Sequence, residues 1–262
     1  MIKLIASDMD GTLLDENGNL PKDFFHIFNM LKSNDIIFAV ASGRQYATLK
    51  KTMDSIKDDV LFIAENGSLV VYKNKELYSC YIDKENVNKI IDVSRSLDSV
   101  EAVLCGKYCA YTEAKDEKFI KEMKKYYASL EIVDNLKQVK ADIIKIAVCD
   151  MNDPYSNSYP AYFNNLKDQL SVVISGAIWV DIMNPKANKG EAIKYILDKF
   201  NISSEETMAF GDYFNDVEML KIAGHSYAME NAPEGVKKHA KYIAKSNIEN
   251  GVLSAIKDKI LA

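Results

Sequence analysis

Two aspartates placed two residues apart are the first feature of this sequence that could carry chemistry. Asp8 and Asp10 directly follow a short apolar run, Lys3–Ser7, and Gly11 gives the backbone freedom to turn after them. Carboxylates crowded at one point are costly unless a cation neutralises them. Because Mg²⁺ prefers hard oxygen ligands, the pair indicates a divalent-metal site.

A second acidic loop occurs in the last third of the chain. Asp212 and Asp216 bracket Asn215 directly after another short apolar run. Together with Asp8 and Asp10 they make four acids at the ends of two predicted strands. We therefore expect the two loops to meet around one Mg²⁺ ion.

Two further features are suited to binding an anion. The segment Ser42-Gly43-Arg44 follows a predicted strand and offers a hydroxyl and backbone N–H groups at the start of a helix. Lys189 lies at the start of another helix, behind the predicted cap Asn188, where a fixed anion would offset its unfavourable interaction with the helix dipole.

A metal, a lysine, a hydroxyl and backbone amides are the groups that phosphoryl transfer needs, because its catalysis is mostly positioning and charge stabilisation. The chain contains no Walker-type glycine-rich loop, so the sequence argues against a P-loop NTPase.

The elements that must position these residues alternate between strand and helix at both ends of the chain. An α/β fold with a parallel sheet is therefore predicted, with ligands bound at the carboxyl ends of its strands. The predicted core strands are Lys3–Ser7, Ile36–Ala41, Val60–Ala64, Thr207–Gly211, Ser226–Met229 and Tyr242–Ala244, and a hairpin is predicted from Leu69–Tyr72 and Leu77–Ile82 across a four-residue turn.

In the middle of the chain the predicted elements follow a different order, in which paired strands are separated by helices. This pattern predicts an inserted α+β domain with an open antiparallel sheet. We expect a first core segment at 1–82, the insertion at 83–185 and a second core segment at 186–262. The predicted elements of the insertion are helices at about 85–97, 116–129 and 159–170 and strands at 100–105, 108–112, 143–149, 172–175 and 178–182.

Composition narrows the possible partners. The 262 residues include 33 Lys and Arg against 38 Asp and Glu, a formal net charge of −5, and the lysines are scattered among acids. This distribution argues against nucleic-acid binding. No apolar run is long enough to span a bilayer, no signal-peptide layout is visible, and the four cysteines lack metal-site spacing. We expect a cytoplasmic protein without a membrane partner, as a monomer or small homo-oligomer, with reduced thiols.

The four motifs in this order resemble those of the haloacid dehalogenase (HAD) superfamily. The resemblance rests on Asp8-x-Asp10-Gly-Thr, Ser42-Gly-Arg, Lys189-Gly and Gly-Asp212-x-x-Asn215-Asp216, and it covers essentially the whole chain. The insertion between the second and third motifs resembles the type IIB cap of the Cof-like phosphatases, and Glu65-Asn66-Gly67 also matches that subgroup. The resemblance to this superfamily implies a Rossmann-like parallel-sheet core with an inserted α+β cap.

The resemblance also implies a role for each matching residue. Asp8 would be the nucleophile and a metal ligand, and Asp10 would act as acid and base and offer its carbonyl to the metal. Asp212 would ligate Mg²⁺, and Asp216 would support the metal through water or by orienting neighbouring groups. The residues implied to bind phosphate or substrate are Ser42, Gly43, Arg44, Asn66, Lys189 and Asn215.

The function implied is a Mg²⁺-dependent phosphatase that hydrolyses small phosphorylated metabolites through an aspartyl-phosphate. Sugar phosphates, FMN and pyridoxal phosphate are candidate substrates. Two alternatives stay open from the residues alone. A phosphomutase would return the phosphoryl group to a sugar, and a phospho-receiver module would keep it as a signal.

Overall fold

The computed structural model describes residues 1–261, which form two compact units. The first unit contains residues 1–43, 55–78 and those from 188 onward, and the second contains residues 44–54 and 79–187. The domain boundaries 1–82, 83–185 and 186–262 stay a prediction. Nothing in the sequence pattern indicated that residues 44–54 group with the second unit.

The elements in the described residues are as follows. The strands are β1 (Leu4–Ser7), β2 (Ile37–Ala41), β3 (Leu61–Ala64), β4 (Leu69–Tyr72), β5 (Lys75–Ser79), β6 (Val100–Gly106), β7 (Ala110–Thr112), β8 (Leu130–Ile132), β9 (Ile143–Asp150), β10 (Ser171–Gly176), β11 (Trp179–Met183), β12 (Thr207–Gly211), β13 (His225–Met229) and β14 (Tyr242–Ala244). The α-helices are α1 (Phe24–Ser33), α2 (Tyr46–Thr52), α3 (Lys84–Ser96), α4 (Glu117–Met123), α5 (Ser158–Leu166), α6 (Lys189–Phe200), α7 (Val217–Ile222), α8 (Glu234–Lys237) and α9 (Gly251–Ile256).

The first unit is built on one sheet with the strand order β14-β13-β12-β1-β2-β3-β4-β5. The strands from β14 to β3 run parallel, and β4 turns back antiparallel to β3. Strand β1 lies between β12 and β2, with Ser7 opposite both Phe210 and Val40. The loops that leave these three strands therefore start side by side, which confirms the predicted α/β fold class.

Helices α6 and α7 cover one face of this sheet with apolar side chains. Ile193, Ile196 and Leu197 recur at helical spacing on α6 and pack in one buried cluster with Met219 and Leu220 of α7. Full burial of such side chains contributes roughly 1.5–3 kcal/mol each. This packing holds the start of α6 against the sheet.

The hairpin in the first unit is shorter than expected. Strand β5 begins at Lys75, so Lys73 and Asn74 alone form the turn, both with positive φ of 50° and 57°. The expected four-residue turn is therefore wrong, and the strand expected at 77–82 is present but shifted to 75–79. A two-residue turn with positive φ matches the twist of the paired strands, and asparagine tolerates that conformation well.

The second unit contains a six-stranded sheet with the order β10-β11-β9-β6-β7-β8. Its pairs are antiparallel except β7 and β8, which run parallel. Helices α3 and α5 pack on one face around the buried Tyr162. The α+β character of the insertion is confirmed.

Residues 116–129 do not form one continuous helix. Helix α4 ends at Met123, and Ala110 N–H donates to the Ser129 carbonyl at 3.0 Å. That bond draws the following residues into β8 beside β7, a strand that the sequence pattern missed. A short parallel edge strand offers no alternation long enough to be read from the sequence.

Within residues 1–261, no helix has the length and apolarity needed to cross a membrane. The four cysteines carry thiols outside any disulfide, and three of them, Cys80, Cys105 and Cys149, are buried.

Candidate active site

Three aspartates from two strand ends converge in the first unit. One carboxylate oxygen each of Asp8, Asp212 and Asp216 lies within 4.8 Å of the other two. Asp8 directly follows β1, and its N–H donates to the Phe210 carbonyl of β12 at 3.0 Å. The parallel register of these two neighbouring strands therefore brings residues from opposite ends of the chain to one point.

Lys189 lies inside this acidic centre. Its Nζ donates to Asp8 Oδ1 and to Asp216 Oδ1, both at 2.6 Å, and the side chain is fully buried. The start of α6 is fixed there because Asn188 Oδ1 accepts a hydrogen bond from Glu191 N–H at 2.8 Å, which confirms the predicted cap.

Gly67 allows the start of α6 to approach this closely. Its φ is 97°, and a Cβ at this position would lie 2.3 Å from the Asn188 carbonyl oxygen. Asn66 and Glu65 also have positive φ, so three consecutive residues form an unusual turn after β3. That strained turn fixes the backbone beside Lys189.

Burial and the neighbouring charges shift the pKa values of the side chains in the acidic centre. Burial raises the pKa of the Asp8 carboxyl to about 8, and the charges of Asp216 and Asp212 add to the rise while Lys189 opposes it. Burial also raises the pKa of Asp212. Burial alone would lower the pKa of Lys189, but Asp216 and Asp8 together raise it, so the ammonium stays charged.

Two of these carboxylates are held in place by further donors. Asp216 Oδ2 accepts hydrogen bonds from the N–H groups of Asp212 and Tyr213 at 3.0 and 3.1 Å. Asp212 Oδ1 accepts one from Thr12 Oγ1 at 2.8 Å. Thr12 is not among the residues predicted from the sequence, although its position two residues after Asp10 is a signal that points to it.

Three of the residues expected to bind an anion follow neighbouring strands: Ser42 and Gly43 come after β2, and Asn66 lies in the turn after β3. Ser42 N–H donates to the Ile63 carbonyl at 2.9 Å, and Asn66 N–H donates to the Ser42 carbonyl at 3.0 Å. Asn215 Nδ2 donates to Asn66 Oδ1 at 3.0 Å, and a Cβ on Gly43 would lie 3.1 Å from that same oxygen. Because Asn215 directly precedes Asp216 in the chain, these polar groups adjoin the acidic centre.

Two of the expected site residues differ from the others in placement. Asp10 is exposed and does not belong to the group of three buried or half-buried carboxylates, although its charge contributes to the raised pKa of Asp212. Arg44 belongs to the second compact unit.

Comparison with known proteins agrees with this geometry. The family model for haloacid dehalogenase-like hydrolases matches residues 5–256. The chain is 34% identical over 262 aligned residues to the 5-amino-6-(5-phospho-D-ribitylamino)uracil phosphatase YbjI of Escherichia coli strain K12, with 99% of this chain and 96% of that protein covered.

Solved structures give the same result. The structure of SMU.1108c from Streptococcus mutans UA159 is 32% identical, with a TM-score of 0.88 and 100% of both chains covered. The HAD subclass IIB sugar phosphatase BT4131, at 21% identity and a TM-score of 0.80 over 98% of each chain, has the same fold. The expected fold and the expected phosphatase-type hydrolase are thus confirmed, and the chain belongs to the haloacid dehalogenase-like hydrolase family.

Proposed function

We propose that this protein is a Mg²⁺-dependent phosphatase that hydrolyses small phosphorylated metabolites through an aspartyl-phosphate on Asp8. The observation that carries the proposal is the buried contact of Lys189 with Asp8 and Asp216, beside Asp212. A buried nucleophilic carboxylate beside a fixed ammonium is suited to attack a phosphoryl group whose charge must be stabilised.

The donor set fits a divalent cation. Three ionised carboxylates and one ammonium would carry two net negative charges, and burial together with the charges of Asp216 and Asp212 raises the pKa of Asp8 in the absence of a metal. Asp8, Asp212 and Asp216 would hold Mg²⁺, with the Asp10 carbonyl as a further oxygen ligand. When bound, the metal would neutralise the phosphoryl charge and orient the group for in-line attack.

Separate residues of the chain would carry out the steps of the reaction. An oxygen of Asp8 attacks phosphorus, and Asp10 donates a proton to the leaving oxygen. Asp10 next removes a proton from the water that hydrolyses the aspartyl-phosphate. Lys189 holds Asp8 in position and stabilises negative charge on the phosphoryl oxygens throughout.

The remaining polar residues would hold the phosphoryl group and the substrate. The Ser42 hydroxyl and the Gly43 N–H would donate to phosphoryl oxygens, and Asn66 and Asn215 would fix the neighbouring contacts. Arg44 is proposed for the same task. The hydrogen bond between Asn66 and Asn215 supports their joint placement.

The substrate class is proposed as phosphomonoesters of small metabolites. The E. coli relative carries the name of a phosphatase for 5-amino-6-(5-phospho-D-ribitylamino)uracil, so that compound heads the substrates to test, followed by sugar phosphates, FMN and pyridoxal phosphate. We also propose a cytoplasmic location and a monomer or small homo-oligomer, with no nucleic-acid or membrane partner.

Metal removal tests the function directly. With this panel of phosphomonoesters, phosphate release is expected to fall by roughly 10²-fold or more in EDTA and to recover when Mg²⁺ is added in excess. A colorimetric phosphate assay measures both steps. Release that persists unchanged in EDTA, or no release from any substrate with Mg²⁺ present, would contradict the proposal.

Mg²⁺ affinity is expected to depend on pH, since the metal needs the Asp8 carboxylate without its proton. Below a pKa of about 8 the ion must displace that proton, so the affinity should weaken roughly tenfold per pH unit. At pH 8 half of the Asp8 carboxyl is already without its proton, so between pH 8 and pH 6 the dissociation constant should rise by about 50-fold. Calorimetric titration at both pH values measures this. In Asp8→Asn, which has no such proton, most of the dependence should vanish.

A further inference from the structure

The turn between Asp10 and Thr12 has little regular structure to hold it. Asp10 and Gly11 lie outside the helical region of backbone space, and Gly11 has a φ of 77°. A side chain is not tolerated at Gly11, because a Cβ would lie 2.4 Å from Asp212 Oδ2. A glycine, the residue with the widest backbone freedom, therefore lies between Asp10 and the hydroxyl that holds Asp212.

Two asparagine side chains from the other end of the chain bind this turn. Asn231 Nδ2 donates to the Gly11 carbonyl at 2.8 Å, and Asn247 Nδ2 donates to the Leu14 carbonyl at 2.9 Å. The two asparagines are also joined, because Asn247 N–H donates to Asn231 Oδ1 at 3.3 Å.

Both asparagines lie next to strands of the sheet, whose backbone hydrogen bonds hold them in place. Asn231 comes two residues after β13, and Glu230 N–H donates to the Ala244 carbonyl of β14 at 2.9 Å. Asn247 starts a short 3₁₀ turn that follows β14. The two side chains thus connect the turn after Asp10 to two paired strands of the sheet.

We propose that Asn231 is a positioning residue for Asp10, with Asn247 as its support. The Gly11 carbonyl belongs to the peptide that joins Gly11 to Thr12, so the hydrogen bond from Asn231 fixes the orientation of that peptide, which starts one residue after Asp10. This inference rests on the proposed function, in which Asp10 protonates the leaving oxygen. A small displacement of an acid from its proton acceptor is enough to lose much of its effect.

The test compares two leaving groups. The p-nitrophenolate of p-nitrophenyl phosphate leaves readily without a proton, whereas the alkoxide of a sugar phosphate needs one. In Asn231→Ala, kcat/KM for the best sugar phosphate of the panel should fall roughly 10–100-fold, and that for p-nitrophenyl phosphate by about threefold or less. The ratio kcat/KM is the right quantity because it reports the steps up to phosphoryl transfer onto Asp8.

Asn34→Ala is the matched control. Asn34 Nδ2 also donates to a backbone carbonyl, that of Met30 at 2.9 Å, on the exposed end of α1. Its loss should leave kcat/KM for both substrates unchanged. Asn231→Asp keeps the shape of the side chain without the donor and carries the same test if Asn231→Ala does not fold.

A second variant, Asp10→Asn, distinguishes an error about Asn231 from an error about the proposed role of Asp10. Asp10→Asn should show the same preference for p-nitrophenyl phosphate, more strongly. If Asp10→Asn loses both substrates equally, the role of Asp10 is wrong and the inference falls with it. If Asp10→Asn shows the preference but Asn231→Ala loses both substrates equally, or neither, the inference alone is wrong.

Discussion

Asp8→Asn is expected to lower kcat by roughly 10⁴–10⁶-fold, because the amide cannot attack phosphorus. The change keeps the size of the side chain at a position that is 6% exposed, so the packing around it should be preserved. Phosphate release from the best substrate of the panel measures the loss. Mass spectrometry of acid-quenched protein should find phosphate on the Asp8 peptide of the parent and none on that of the variant.

The fold of this variant should be intact. Burial disfavours the Asp8 carboxylate, and its pKa is raised to about 8, so a neutral amide there removes an unfavourable charge. The melting temperature in the absence of metal should therefore stay equal or rise. Asp35→Asn makes the same chemical change in an exposed turn of the same unit and should keep full activity. An Asp8→Asn protein with near-parental turnover would mean that water attacks phosphorus directly.

Lys189→Met is expected to reduce both activity and stability. Activity should fall by roughly 10²–10³-fold in kcat/KM, the usual effect of losing one group that stabilises developing negative charge. The free energy of unfolding should fall by about 3–5 kcal/mol at pH 8 without metal, because Asp8 and Asp216 lose their shared buried partner. Urea unfolding and substrate kinetics on the same preparation measure the two effects.

A lysine on the same helix provides the control. Lys194 pairs with Glu191 at 2.6 Å, but its side chain is 57% exposed, whereas that of Lys189 is fully buried. Lys194→Met should change stability by less than about 1 kcal/mol and leave turnover unchanged. Adding Asp8→Asn to Lys189→Met should restore part of the lost stability, since it removes one of the uncompensated charges. Full activity in Lys189→Met would remove the lysine from the mechanism.

Much of the core could be predicted from sequence patterns. Short apolar runs that each end in polar residues indicated the strands around Asp8, Ser42 and Asp212, because a strand buried on both faces has that composition. The predicted cap Asn188 is present. The errors fell where local signals are weak. The turn at Lys73 and Asn74 is shorter than expected, and β8 was missed because three residues carry no periodicity.

The sequence by itself determined the chemistry available to this protein: its carboxylates, its lysine, its hydroxyl and the order in which they occur. Only the tertiary structure decided which of them meet, because spacing along a chain does not say which strands are neighbours. The placement of β1 between β12 and β2 brings Asp8 to Asp212 and Asp216. Hydrogen bonds such as that from Asn231 to Gly11 join residues 220 positions apart and follow from the packing of the sheet alone.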